Sequence, residues 1–164
     1  MKRIGITLAA CLLLSVPALA AEKKVIAATN APSAIGPYSQ AIQSGPLLFV
    51  SGSLGLVGDT GKLAEGGVGP ETEMSLNNLD AILQAAGASF SDVVKTTIFL
   101  TDMADFATVN EIYAKRFPSA PPARSTVAVQ ALPRGGKVEI EVIAVVPGMM
   151  GPKMLRPGPR PGGN

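Results

Sequence analysis

Pro121-Pro122-Ala123-Arg124-Ser125-Thr126-Val127-Ala128-Val129, then Gln130-Ala131-Leu132-Pro133-Arg134-Gly135-Gly136, then Lys137-Val138-Glu139-Ile140-Glu141-Val142-Ile143-Ala144-Val145-Val146, is the stretch on which the fold turns. It reads as strand, turn, strand. Leu132 to Gly136 carries the Pro and Gly punctuation of a turn. Successive strand side chains alternate faces, so Val138, Ile140 and Val142 share one face and Glu139 and Glu141 the other. Arg124 opens the first of the two strands. A guanidinium and carboxylates on neighbouring strands could form a small-molecule site, and they could equally form a solvated sheet face.

Working outward, Phe106, Val109, Tyr113 and Phe117 mark the core face of a helix from about Asp105 to Arg116, capped by Thr101-Asp102 and ended by Pro118. Val93 to Leu100 is rich in β-branched residues and reads as a strand. A longer helix is expected from Glu71 to about Ala86. Pro70 suits its first position, Leu79, Ile82, Leu83 and Ala86 recur at helical spacing, and Gly87 stops it. Glu22 to Ala27, Tyr38 to Gln43 and Leu47 to Gly52 complete the set as strands, with Gly45-Pro46 as a hairpin turn. The order β-β-β-α-β-α-β-β predicts an α+β fold, a mixed or antiparallel sheet with two helices on one face. The other face is left to solvent or to an oligomer.

The termini differ from this core. Lys2-Arg3, the apolar run Ile4 to Val16 and Ala18-Leu19-Ala20 have the order of a secretory signal peptide cleaved after Ala20. The run is too short to span a membrane, so no stable membrane insertion is expected after cleavage and the mature protein is expected to be periplasmic or secreted. Leu8-Ala9-Ala10-Cys11 competes as a lipoprotein box but would leave a very short apolar region before Cys11. From Pro147 to Asn164 the chain is dominated by Gly and Pro and is expected to be a disordered tail. The domain is therefore expected over residues 21–146.

Composition excludes several chemistries. The chain has no histidine, and its single cysteine, Cys11, leaves with the leader. Zinc sites built from His and Cys and Ser-His-Asp triads are excluded, and no metal or other cofactor is expected. Residues 21–146 carry 9 basic against 12 acidic groups, net −3, and aromatic residues are few. A nucleic-acid partner is not expected on either ground. Catalysis would have to use carboxylates, Arg, Lys, Tyr, hydroxyls, backbone groups and water.

Individual candidates each have a plainer reading. Arg124 suits bidentate binding of a carboxylate, or an ion pair with Glu139 or Glu141. Glu139 could hold a water or simply face solvent. Tyr38 after Gly36-Pro37 reads as a core residue or a ligand contact. Ser51-Gly52 could expose backbone groups to a ligand or merely end a strand. Asn110 is solvated or caps a loop. Gly135-Gly136 lacks the Lys-Ser/Thr of a phosphate loop.

Several motifs in order resemble a known family. Asn30-Ala31-Pro32 with Ala34 to Ala41, Phe49-Val50-Ser51-Gly52, Asp92 to Leu100, Asp105 to Asn110, Pro122-Ala123-Arg124-Ser125 and Val138 to Ala144 are similar to the signatures of the Rid (YjgF) family of reactive-intermediate deaminases. The resemblance covers roughly Val25 to Val146. It implies a chorismate-mutase-like α+β fold, a homotrimer with its sheets packed inside, and sites in clefts between subunits. It implies a deaminase hydrolysing small imino acids such as 2-iminobutanoate, 2-iminopropanoate and the enamine 2-aminoacrylate to 2-oxo acids and ammonia, and the leader, a departure from the family, makes it an exported one. By the same resemblance Arg124 binds the substrate carboxylate, Glu139 positions water, and Tyr38, Ser51, Gly52 and Asn110 line the pocket. Thr126 stands where many members have Cys and shapes that pocket, Ser53 where many have Gln. An exported member would need a source of imines outside the cytoplasm. A binding or holdase-like module using the same clefts without turnover is the alternative, and an endoribonuclease reading is disfavoured by the acidic core without His.

Overall fold

A computed structural model describes residues 22–148. The expected leader and all but the first two residues of the expected tail lie outside the described residues. The strands are β1 Lys23–Ile26, β2 Ala41–Ser44, β3 Leu47–Leu54, β4 Val93–Leu100, β5 Ala123–Ala128 and β6 Val138–Val145. The helices are α1 Val68–Ala85 and α2 Phe106–Ala114. One sheet runs β1-β2-β3-β6-β4-β5, antiparallel except for the parallel pair β4–β5. The α+β expectation and the order of elements both hold.

The opening stretch does not form a hairpin. β4 lies between its two strands, pairing with β5 on one side and β6 on the other. Thr96 of β4 is in register with both Arg124 and Val142, and Phe99 with both Val127 and Glu139. Residues in register share a face. Arg124 therefore belongs to the helix-covered face, and Glu139 to the open one.

The core fills the space between the sheet and the two helices. Val138, Ile140, Val142 and Ala144 point into it, as the alternation of β6 requires. Leu76, Leu79 and Leu83 meet them from α1 and are fully buried, the i, i+3, i+7 stripe of an amphipathic helix. Truncating one of these, Leu79→Ala for instance, would cost about 2–5 kcal/mol. α1 begins at Val68, two residues ahead of Pro70. Proline is tolerated there because the amides of the first turn have no partner within the helix. At the other end the Gly87 amide donates to Gln84 O and the Ala88 amide to Leu83 O, and Gly87 has φ 76°. That pair of bonds needs a left-handed residue, so the helix stops at the glycine.

α1 is tied to the end of β3. Ser75 Oγ donates to Ser53 O at 2.8 Å, and Asn78 Nδ2 donates to Leu54 O and Leu56 O. A Cβ on Gly55 would come 2.5 Å from Glu71 Cα and the Glu71 carbonyl oxygen, so only glycine allows this approach. Glu71 is buried and accepts the Lys137 amide at 2.7 Å, which anchors the start of β6 to the helix.

The face of the sheet turned away from the helices carries exposed Val25, Leu47, Phe49 and Val127. Among the described residues no helix is long and apolar enough to cross a membrane.

Candidate functional site

The predicted site residues fall into two groups on opposite faces of one sheet. The first is built on β5 and α2. Asp102 caps the approach to α2 by accepting the Ala104 amide at 2.8 Å. Phe106, Asn110 and Tyr113 then recur at i, i+4, i+7 and share one side of the helix. Arg124 extends from β5 across that side. Its Nη2 donates to Asn110 Oδ1 at 2.8 Å, and its guanidinium carbon lies 4.7 Å from the centre of the Tyr113 ring and 5.8 Å from that of Phe106. The stack and the single hydrogen bond fix the plane of the group and leave most of its five donors unused.

Among the described residues no carboxylate lies within ion-pair distance of Arg124, so the pairing with Glu139 or Glu141 is ruled out within one chain. Tyr113 is buried and donates to Thr96 Oγ1 at 3.0 Å. Burial raises its pKa, and this outweighs the opposing effects of the Thr96 hydrogen bond and the Arg124 charge, so it remains a neutral phenol. A cleft of about 400 Å³ opens beside Arg124, lined also by Asn110, Tyr113, Phe117 and Pro122.

Thr126 follows Arg124 on the same face, half-buried in register with Ile98, and is not part of that cleft lining. Phe106 departs from its expected place in the core. It is 39% exposed, because it forms the outer end of the shelf under Arg124.

The second group surrounds Glu139. β3 carries an irregularity between Val50 and Ser53, with three steps on β3 matched to two on β6. This bulge sets Ser51 and Gly52 out of the regular pleat. The Glu139 side chain lies directly over Gly52, where a Cβ would overlap the carboxylate. Glycine is required here by close approach, not by its backbone angles. Tyr38, expected in a strand, lies in the loop before β2 and is 48% exposed. Its hydroxyl accepts the Ile35 amide at 3.2 Å, and Ser51 Oγ donates to Ser39 O at 2.8 Å. Tyr38, Ser51, Gly52, Leu54, Pro133 and Glu139 line a second cleft of about 400 Å³, with Ile35 at its edge. Burial raises the pKa of Glu139, and the neighbouring Glu141 carboxylate raises it further. Glu141 pairs with Thr97 on the same face and does not line this cleft.

Three residues with positioning roles were not singled out by the sequence pattern. Tyr113 reads there as core. Its spacing from Asn110 and Phe106 was the available signal. Gln40 accepts the Ala28 amide at 2.6 Å and donates to Pro32 O at 2.7 Å, so one side chain holds the 28–32 loop against β2. Glu71 reads there only as the start of the longer helix, yet its side chain accepts the Lys137 amide 66 residues away. No group of three or more His, Cys, Asp or Glu able to hold a metal occurs among the described residues.

Residues 28–146 match the family described as endoribonuclease L-PSP. The chain is 55% identical over 133 residues to Reactive Intermediate Deaminase A, chloroplastic, of Arabidopsis thaliana, covering 81% of this chain and 71% of that one. It is 54% identical over 123 residues to the 2-iminobutanoate/2-iminopropanoate deaminase of Mus musculus, covering 75% and 91%. A crystal structure of a Rid-family protein of unknown function, YyfA from Yersinia pestis, superposes with a TM-score of 0.74 at 51% identity, covering 76% of this chain and all of that one.

Proposed function

The chain belongs to the endoribonuclease L-PSP (YjgF/Rid) family, and from that premise we propose that it is an imine and enamine deaminase that hydrolyses small 2-imino acids to 2-oxo acids and ammonia. The observation that carries the reading is the state of Arg124. Its guanidinium is docked on Tyr113 and Asn110 with no carboxylate in reach among the described residues, and so is ready for the carboxylate of a ligand. The relatives named as deaminases in mouse and Arabidopsis support the reaction class.

A complete site needs two copies. Arg124 and Glu139 lie on opposite faces of one sheet, so Arg124 of one copy works with Tyr38, Ser51, Gly52 and Glu139 of a neighbour. We propose a homotrimer, supported by the apolar open face around Leu47, Phe49 and Val127, which is larger in character than isolated surface residues explain. In the shared cleft Arg124 orients the substrate through its carboxylate, leaving the imine carbon beside Glu139. An enamine first takes a proton from water at its β-carbon and returns one of its N–H protons to water, becoming the imine. Water held by Glu139 then adds to the carbon of the C=N bond, and the proton it loses passes by way of Glu139 to nitrogen. The raised proton affinity of Glu139 favours its taking up the proton in that transfer. The hydroxyl of the resulting carbinolamine then gives its own proton, by way of Glu139, to the amino nitrogen as the C–N bond breaks, which releases ammonia and leaves the 2-oxo acid. Thr126, two residues along β5 on the Arg124 face, stands behind that arginine and outside the cleft wall.

Residues 1–20 have the order of an export signal and residues 147–164 the composition of a tail, so the proposed catalytic domain is 21–146 and its proposed location is periplasmic or secreted. The N-terminal residue of the protein recovered from a periplasmic fraction checks this, with Ala21 expected. The activity test is release of ammonia from 2-aminoacrylate generated in the cuvette. Arg124→Ala should abolish the acceleration and leave the oligomer unchanged by light scattering. Equal rates for the two proteins would sink the reading. Stabilisation by 2-oxo acids without turnover would instead assign a binding module.

A further inference from the structure

We infer that a cavity behind the Glu139 cleft receives the side chain of the substrate, and that it fits an alkyl chain of about three carbons. The inference rests on the deaminase reading and adds to it the shape of the preferred substrate. The cavity lies under the 32–38 loop, between that loop, the end of β3 and α1. Ile35, Tyr38, Ser51, Gly52 and Leu54 line both it and the Glu139 cleft, so these residues form the passage between the two. Its floor is made by Ser53, Leu56, Asn78 and Ile82. The volume is about 50 Å³, room for about three waters or an alkyl chain of about three carbons.

The chemistry of the lining selects the occupant. It contains no acidic or basic side chain, so a charged substituent would be buried without a counter-charge. Its amides and hydroxyls are bonded to protein atoms. Asn78 Nδ2 is held by Leu54 O and Leu56 O, Gln40 by Ala28 and Pro32, and Ser51 Oγ by Ser39 O. Ser53 Oγ donates to Ser75 O at 3.3 Å. What these groups leave for a ligand is mainly the hydrocarbon of Ile35, Leu54, Leu56 and Ile82. Ser53 is buried at the floor, and its short side chain sets the depth.

The test uses stable product-shaped ligands, so it does not depend on turnover. Binding of pyruvate, 2-oxobutanoate, 2-oxopentanoate and 2-oxohexanoate is measured by calorimetry on the purified protein. Kd should fall by about fourfold per methylene until the cavity is full. Ser53→Gln lengthens the floor residue and should flatten the series while leaving pyruvate binding within about twofold. Ser53→Ala, which removes the hydrogen bond but not the space, should keep the wild-type slope. If Ser53→Gln does not fold, Ala34→Leu fills the cavity from the loop side and is read in the same way. A wild-type series that is flat beyond pyruvate, or a filled variant with the wild-type slope, overturns the inference alone. Failure to bind any 2-oxo acid together with failure to hydrolyse any imine overturns the deaminase reading, and this inference with it.

Discussion

Replacing Gly52 by alanine should disable the site while leaving the fold nearly as stable as before. The added Cβ would overlap Glu139 Oε1 and fall 2.7 Å from its Cδ and 3.0 Å from its Cγ. The β6 backbone cannot move to relieve this, because Val138 and Ile140 on either side of Glu139 are fully buried in the core. The side chain is the part that gives way, so the carboxylate rotates off Gly52. Leaving its rotamer costs about 0.5–1.5 kcal/mol, and the methyl group stabilises by about 0.4–1 kcal/mol through the unfolded chain. These nearly cancel, and the unfolding free energy should change by no more than about 1 kcal/mol. A carboxylate misplaced by an ångström or more costs catalysis about 100-fold. Steady-state hydrolysis of an imine and urea denaturation on the same preparation read both quantities. Wild-type activity in Gly52→Ala would refute the placement of Glu139 at the reaction centre. A stability loss of several kcal/mol would refute the claim that only the side chain yields.

Three further predictions follow from the geometry. Glu139→Gln should change the pH dependence of stability. The pKa of Glu139 is raised by folding, so its contribution is present below the unfolded pKa and lost as pH rises through the folded one. The variant should therefore match wild type in urea midpoint at pH about 4 and exceed it at pH about 8, and a difference of the opposite sign would contradict the burial argument. Tyr113→Phe keeps the ring under Arg124 but leaves buried Thr96 without its donor, so stability should fall by about 1–2 kcal/mol with KM unchanged. Phe49→Glu puts a charge in the middle of the open apolar face and should dissociate the oligomer, read by light scattering, with activity falling in parallel.

Much of the fold was legible because burial imposes a period on the sequence. The alternation along β6 and the leucine stripe of α1 both survive in the structure. What the pattern cannot carry is the choice of partner for each strand. Residues 123–129 and 138–146 looked like a hairpin since strands close in sequence usually pair, yet β4 is inserted between them. That insertion leaves each strand correctly identified and still separates Arg124 from Glu139. Tyr38 reads as the start of a strand, whereas Gly36-Pro37 and the bond from its amide to Gly36 O hold it in a loop. The role of Gly52 was invisible until Glu139 lay above it, because a close approach between distant residues leaves no local trace. Glu71 opens the expected helix, and its partner at Lys137 lies beyond any local pattern.

The separation of the two half-sites by the thickness of a sheet has a consequence for genetics. On the proposed two-copy site, a chain lacking Arg124 and a chain lacking Glu139 should each be inactive alone, but each still carries the half that the other has lost. If the two are unfolded together and reassembled at random, about a quarter of the shared sites draw an intact Arg124 from one chain and an intact Glu139 from its neighbour. Two dead alleles of this protein should therefore complement one another in a mixed assembly, and a chain carrying both substitutions should rescue neither.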